Sequence, residues 1–400
     1  MKILQLCSKP PFPAKDGGCI AMNNLSIGLL EAGAQLKILT LETHKHPFEK
    51  NKIPKDYLLK TEVEAVFVDT KLSVVDAFSN LVTRDSYNIS RYFSADFDIK
   101  LGNILKRKKF DVVHLESLFM TPYIDTIRRF SKASIVLRSH NLEYIIWERL
   151  AAATKNKARK TYLHLLAKRL KEYEMDIINK VDGIVAISSI DEEKYRKFKL
   201  KVPIITIPFG IPLQNYKVDH TDVEYPSLFH LGSMDWKPNI EGVDWFIKNI
   251  WPSITLEIPK AKLYLAGREM PKALTGLKIP NIIVLGEIES AKKFMQSKSV
   301  MVVPLLSAGG IRVKIIEGLA LGKTVISTTI GAEGIDCTDG ENILIADDAE
   351  EFTAAIKKVC SDKKYFETIG ENARKLAEQK FDNIDLTTRL LDFYKSLTVL

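Results

Sequence analysis

Within the twelve residues Ser307-Ala308-Gly309-Gly310-Ile311-Arg312-Val313-Lys314-Ile315-Ile316-Glu317-Gly318 stand two adjacent glycines, two cations and a carboxylate. Adjacent glycines let a backbone approach a ligand closely, and the free amides at a helix start carry partial positive charge. Arg312 and Lys314 add two full charges, so the segment reads as a loop opening into a helix near Ile311 whose amino end takes a phosphate or diphosphate. At about 3.6 residues per turn, Gly310, Lys314 and Glu317 share one face, while Ile315, Ile316, Leu319 and Ala320 make an apolar stripe for packing. Glu317, about two turns in, lies beyond the helix-start dipole and offers acceptor oxygens to the hydroxyls of a nucleotide ribose. The plainer alternative is a surface helix in which Lys314 and Glu317 merely pair at i,i+3.

In open parallel sheets ligands bind beyond the carboxyl ends of the strands, so loops after strand-like runs hold the other candidates. Gly17 and Gly18 end the loop Pro10–Gly18 and precede a helix; without a G-x-G-x-x-G spacing they are a weak dinucleotide signal. Arg138-Ser139-His140-Asn141-Leu142-Glu143 places His140 at a strand end, or simply uses Asn141 as a helix cap. Gly232-Ser233-Met234-Asp235-Trp236-Lys237-Pro238-Asn239 offers the Lys237 cation and an aromatic face, although Pro238 and Asn239 also suit a helix start. Arg268, after Gly267, reaches a nucleotide or a surface carboxylate. Asp96-Phe97-Asp98 has the D-x-D spelling of some metal-binding pairs, but it falls in a poorly patterned stretch and arises easily by chance. Ser189-Ile190-Asp191-Glu192 reads as a capping box. No Walker A, G-x-S-x-G, H-E-x-x-H or C-x-x-C pattern occurs, and neither metal nor resident cofactor is expected.

The elements that position these residues are legible as short apolar runs alternating with helical patterns, the mark of α/β folding around parallel sheets. One series of runs covers about 2–7, 35–41, 63–68, 111–115, 134–139, 182–187 and 203–207. A second covers about 227–231, 261–266, 281–285, 299–303, 324–327 and 342–345. A long helix is expected over 155–179, with Tyr162, Leu165, Leu166, Leu170 and Tyr173 as its stripe. The cluster Pro203, Pro208, Gly210, Pro212 and Pro226 marks the handover between two domains, 1–207 and 208–383. With 400 residues, 46% hydrophobic and 27% charged, the chain is long enough for two cores, which excludes a disordered or fibrous protein. Four scattered cysteines suggest neither disulfide framework nor zinc, and suit a reducing cytoplasm.

Charge is divided unevenly. Residues 1–207 hold 35 Lys and Arg against 24 Asp and Glu, while 208–400 hold 23 against 26. Lys106-Arg107-Lys108-Lys109 and Arg159–Arg169 are either solvated faces or peripheral contacts with an anionic membrane surface. No nucleic-acid motif accompanies the charge. The amino-terminal apolar stretch is too short for a signal peptide, and no run is long enough to span a bilayer.

In this order the segments 138–143, 232–239 and 309–317, with Gly331-Ala332-Glu333-Gly334 beyond, resemble the family 4 retaining glycosyltransferases, over nearly the whole chain. Pro208-Phe209-Gly210-Ile211 is similar to the family's interdomain P-N-G-V. The resemblance implies a GT-B fold: two Rossmann-like domains facing across a cleft that closes on a nucleotide-sugar, with the last helix, about 384–400, returning to the first domain. It implies Gly17 and Gly18 against the donor diphosphate, His140 near the donor sugar, Arg312 and Lys314 on the phosphates, Gly309 and Gly310 lining the donor, and Glu317 on the ribose. Lys237 and Arg268 complete the donor set. Implied too are transfer with retention and without a metal, to a glycan or lipid-linked acceptor in cell-surface polysaccharide synthesis. Two positions depart from the family: Gly309 stands where a glutamate is common, eight residues before Glu317, and an expected Arg…Lys pair is reduced to Lys237. A nucleotide-sugar epimerase of the same build, or a degenerate nucleotide-binding protein, fits the same residues.

Overall fold

The computed structural model describes residues 1–14, 16–69, 87–219, 221–307 and 309–398. It forms two compact units, residues 1–210 with 383–398 and residues 211–382. In the first, the elements run β1 (Lys2–Cys7), α1 (Gly17–Glu31), β2 (Gln35–Glu42), α2 (Lys55–Thr61), β3 (Glu64–Phe67), α3 (Tyr87–Ser90), α4 (Ala95–Arg107), β4 (Val112–Glu116), α5 (Ile124–Phe130), β5 (Ser134–Ser139), α6 (Glu143–Ala153), α7 (Lys157–Ile177), β6 (Gly183–Ala186), α8 (Ser189–Arg196) and β7 (Ile204–Thr206). All seven strands are parallel in the order β3-β2-β1-β4-β5-β6-β7.

The second unit runs β8 (Glu224–Leu231), α9 (Lys237–Asn249), α10 (Trp251–Glu257), β9 (Lys262–Ala266), α11 (Lys272–Thr275), β10 (Ile282–Gly286), α12 (Ala291–Ser297), β11 (Lys298–Val303), α13 (Val313–Ala320), β12 (Thr324–Ser327), β13 (Leu344–Ile345), α14 (Ala349–Ser361) and α15 (Lys363–Lys380). Its six parallel strands lie in the order β10-β9-β8-β11-β12-β13. Each strand order reverses direction once, between β1 and β4 and between β8 and β11. A crevice opens at such a point beyond the strand ends.

The central strands are buried on both faces, which is why they read as continuous apolar runs rather than alternating ones. Val112, Val113 and Leu115 of β4 are each fully buried, worth about 1.5–3 kcal/mol apiece. The final helix, α16 (Asn383–Thr398), packs on α1 where Gly28 leaves room: a methyl there would lie 2.6 Å from Asn383 Nδ2. Asn383 Nδ2 donates to Asn24 O at 2.8 Å, and Asn24 Nδ2 to Gly210 O at 2.9 Å.

Local expectations fare unevenly. Every expected strand forms, its ends within three residues of the apolar run. The long helix spans 157–177, but its buried stripe is Leu163, Ala167, Leu170, Glu174 and Ile177, and Leu165 is exposed. The large residues misled because small Ala167 and ionisable Glu174 occupy the inner face. Asp96 and Asp98 sit in the first turn of α4 behind the Ser94 cap, as carboxylates that complement the helix dipole. The cap of α8 is Ser188, one residue before the expected Ser189; its hydroxyl accepts from Asp191 N at 3.1 Å. Of the poorly patterned stretch, residues 70–86 lie outside the described residues, and 95–107 are helical.

Candidate functional site

Each unit gathers polar residues at its own strand-order reversal. In the second unit, Gly232 and Gly267 bring the loops after β8 and β9 into backbone contact. Gly232 N donates to Ala266 O at 3.0 Å and Met234 N to Arg268 O at 2.9 Å. Gly267 adopts φ +147°, and a methyl group there would fall inside the Gly232 carbonyl. Only glycine fits. Met234, in the loop where the expected Arg…Lys pair is reduced to Lys237, is 2% exposed and belongs to the core.

Beyond β11 the chain bends through Gly309 and Gly310, the latter at φ +77°, and α13 begins at Val313. This corrects the start expected near Ile311. Gly310 precedes the helix rather than sharing its face, and Glu317 is little more than one turn in. Arg312 is the N-cap and makes no side-chain capping bond. Its guanidinium is 5% exposed and lies 5.6 Å from the Trp236 ring centroid. The Lys314 ammonium donates to Asn239 Oδ1 at 3.2 Å, and Asn239 Nδ2 donates to Ser233 O at 2.8 Å. Burial, with the Arg312 charge second, pulls Lys314 down to about 7. Neighbouring His230, 1% exposed with Nδ1 3.0 Å from Val302 O, is held well below its ordinary value by burial and by Lys314.

Glu317 does not pair with Lys314; it accepts from Tyr216 Oη at 2.7 Å. Burial raises its pKa although that hydrogen bond opposes it. Arg374 of α15 donates to Tyr216 O and Ala320 O, fixing both the tyrosine and the end of α13. Lys237 is exposed and pairs with Glu241 at 3.1 Å along its own helix; Glu241 also accepts from Ser307 Oγ at 3.3 Å. Arg268 enters the arrangement through its backbone carbonyl.

In the first unit, Gly17 and Gly18 are the first residues of α1, capped by Asp16, which accepts from Cys19 N at 2.9 Å. Lys9 Nζ lies 2.7 Å and His46 Nε2 3.1 Å from that carboxyl, and against the burial penalty they hold it far below the usual carboxylate range. A methyl on Gly18 would lie 2.9 Å from Lys9 Nζ, so the ammonium stands over the helix start.

His140 follows β5, and its Nε2 is 2.8 Å from Glu116 Oε2 at the end of β4. Glu116 is fully buried: its Oε1 accepts from Gln5 Nε2 at 2.9 Å and lies 3.4 Å from Arg138 Nη1 and 3.2 Å from His114 Nε2. Burial alone would raise its pKa, yet Arg138 and the histidines hold it well below the ordinary range. An ionised Glu116 can only accept, so His140 Nε2 carries the proton and Nδ1 is left as an acceptor. Burial lowers the His140 pKa in spite of Glu116, keeping the ring neutral. Phe209 meets His140 edge to face at 5.6 Å and underlies Arg138 at 5.0 Å. Ser117, directly after Glu116, takes φ 95°, a strained turn of the kind that clusters at functional sites. Asn141 does not cap α6; the cap position is Leu142, without a side-chain bond.

Sequence reasoning missed Glu116, Tyr216, His230 and the hydrogen bond by which Asn239 holds Lys314. The signal for Glu116 was an acid ending an otherwise apolar run, where burial demands partners.

A glycosyltransferase family 4 model matches residues 20–215, and a glycosyl transferases group 1 model matches 225–362. An uncharacterized 44.6 kDa protein in the cps region of Klebsiella pneumoniae is 23% identical over 393 residues, covering 96% of this chain and 97% of that one. Among solved structures, sucrose-phosphate synthase from Thermosynechococcus elongatus aligns over 100% of both chains with TM-score 0.71 and 17% identity. Anabaena HepE in complex with UDP covers 99% of this chain and 100% of its own, with TM-score 0.67 and 13% identity.

Proposed function

The chain belongs to the group 1, family 4 glycosyltransferases, and from that premise we propose that it moves a sugar from a nucleotide-sugar to a glycan or lipid-linked acceptor. The observation that carries this reading is the helix start of α13, where Arg312 and Lys314 flank amides without a side-chain cap at the β8/β11 reversal. A diphosphate placed there meets two cations and a dipole end. Glu317, aligned by Tyr216, takes the ribose, and the neutral His140 offers Nδ1 to a sugar hydroxyl. Transfer proceeds with retention and without a metal: the leaving diphosphate accepts the acceptor's proton on the face it vacates, and preorganised cations stabilise its growing charge. The Klebsiella relative's cps region and the UDP bound by HepE support a UDP-sugar donor and a polysaccharide product.

A thermal-shift series with UDP, GDP, ADP, CMP and NAD tests the donor class. A nucleoside diphosphate at about 100 times its dissociation constant stabilises by about 2.7 kcal/mol, and UDP is expected to give the largest shift. If NAD alone stabilised the protein, the transferase reading would fall.

Lys314 gives this binding a pH signature. With its pKa near 7 in the free protein, diphosphate binding favours the charged form and draws in a proton. Donor affinity therefore falls above pH 7, towards about tenfold per pH unit, and calorimetry in buffers of different ionisation heat reads the proton uptake. Lys314→Met should bind weakly with no such slope; a flat wild-type profile removes Lys314 from the phosphate. The same depression works against folding while the unfolded lysine stays charged, so its contribution to stability rises with pH between about 7 and 10.4.

A peripheral membrane contact of the first unit belongs to this proposal. From Lys155 to Lys171 the chain carries seven Lys and Arg and no Asp or Glu, with Leu150 and Leu165 exposed nearby. No helix among the described residues is long and apolar enough to cross a membrane.

A further inference from the structure

Glu174 lies on the inner face of α7 near its C-terminal end and is fully buried, without a cation among the causes that set its charge state. Its Oε1 is 3.4 Å from Glu143 N and its Oε2 3.4 Å from Tyr144 N, the first two amides of α6. The residue at the cap position, Leu142, cannot bond them. Glu174 thus supplies the cap of α6 from another helix, and α6 is the anchor of the turn that carries His140.

The other contacts of Glu174 bear on where its proton is. Tyr195 Oη lies 3.1 Å from Glu174 Oε1 and 2.7 Å from Ser139 Oγ, and Ser139 Oγ donates to Asn141 O at 2.8 Å. Three oxygen-to-oxygen links in series require three protons. Asn141 O is a carbonyl and only accepts, so the Ser139 proton is committed to it and the Tyr195 proton to Ser139. The third proton has one remaining source, the Glu174 carboxyl.

We propose that Glu174 is a positioning residue for His140, protonated at neutral pH so that donation runs in one direction from Glu174 through Tyr195 and Ser139 to Asn141 O, locking the turn between β5 and α6. Burial, reinforced by Glu143, raises the Glu174 pKa to about 8, and burial raises Glu143 to about 7. The charged and titratable groups that face the pair are Tyr144 on α6, Tyr195 on α8, and Arg91, whose charge reaches Glu143; Asp191 on α8 acts on Tyr195. Above pH 8 the Glu174 proton leaves, the Glu174–Tyr195 link becomes a contact in which the tyrosine proton is claimed twice, and the turn loosens.

The role in catalysis rests on the place given to His140 above, so the test has one readout that does not. Glu174→Gln offers an amide N–H to Tyr195 and an oxygen to α6, and so imitates the protonated acid at every pH. Hydrogen exchange of the peptide over residues 139–144 should match wild type in Glu174→Gln at pH 7. At pH 9 it should run about tenfold faster in wild type than in Glu174→Gln, since each 1.4 kcal/mol of lost local stability is tenfold in opening. Equal exchange at pH 9, or Glu174→Gln exchanging as fast as Glu174→Ala at pH 7, overturns the proposal. In turnover, Glu174→Ala should lose roughly 10²-fold in kcat with little change in donor KM, the scale of a displaced catalytic group, while Glu174→Gln keeps wild-type kcat. His140→Ala with Glu174→Ala should lose no more than His140→Ala alone. Additive losses overturn the positioning role and leave the transferase reading intact. Full activity in His140→Ala overturns the reading of that histidine, with the exchange result still deciding the protonation of Glu174.

Discussion

Arg312→Ala is expected to lower turnover by about 10²–10³-fold, the scale for one preorganised donor to a developing negative charge. The side chain is 5% exposed and its guanidinium rests over Trp236, so its position is set before substrate arrives and costs little reorganisation during reaction. The loss should fall on kcat rather than on donor KM. Arg312 is itself one cause of the low Lys314 pKa; with Arg312 gone, Lys314 is charged over a wider pH range and partly restores ground-state attraction for the diphosphate. The donor-binding curve against pH should therefore move its midpoint upward in Arg312→Ala while turnover collapses. Arg312→Lys keeps the charge but loses the planar fork, and should bind donor as wild type does without recovering kcat. Unchanged turnover in Arg312→Ala would remove this residue from the transferring phosphate, and a loss confined to KM would mean it binds ground and transition states alike.

The two sheets were legible because both faces of each are covered. Runs such as Lys2–Cys7 and Lys298–Val303 leave no choice of period, and their alternation with helical patterns selects parallel pairing. What misled was the identity of inner faces where small or ionisable residues hold the core. Leu165 looked like core and is exposed, while Glu174, an acid in a basic helix, is fully buried. Its partners, Tyr195 and the amides of α6, are close in space but not in sequence, and no helical period encodes them.

The site was legible where backbone conformation dictates residue type. Gly310 at φ +77° and Gly267 at φ +147° are glycines that geometry requires, and the motifs built on them were visible. The residues that tune those motifs were not. Glu317 was expected to be open to a ribose, and the structure engages one of its oxygens with Tyr216, 101 positions earlier. Lys237 was read as a donor-site cation because it follows a strand, yet a helix start gives it the nearer partner Glu241 at i,i+4. Glu116 stood one residue past the expected strand end, and its value lies wholly in Arg138 and His140 arriving beside it from β5.

Removing that carboxylate should have the largest effect on stability in this chain. Glu116→Ala leaves Arg138, 1% exposed, as a buried guanidinium that has lost a carboxylate 3.4 Å away, a change that costs about 3–5 kcal/mol. At about 2–4 °C per kcal/mol for units of this size, the melting transition should drop by roughly 10 °C. The loss propagates because Glu116 joins elements distant in sequence: Gln5 of β1 donates to it, His114 beside it is hydrogen-bonded to Tyr394 of α16, and His140 depends on it for its tautomer. Acid titration tests the same charge. The folded pKa of Glu116 lies well below its unfolded value near 4.3, so its stabilisation is present above pH 4.3 and is lost as pH falls towards the folded value. Glu116→Gln, which keeps the shape but not the charge, should be less stable than wild type at pH 7 and converge on it in acid. An unchanged melting point in Glu116→Ala would mean that Arg138 and Phe209 suffice to hold the cation, and that the carboxylate serves His140 alone.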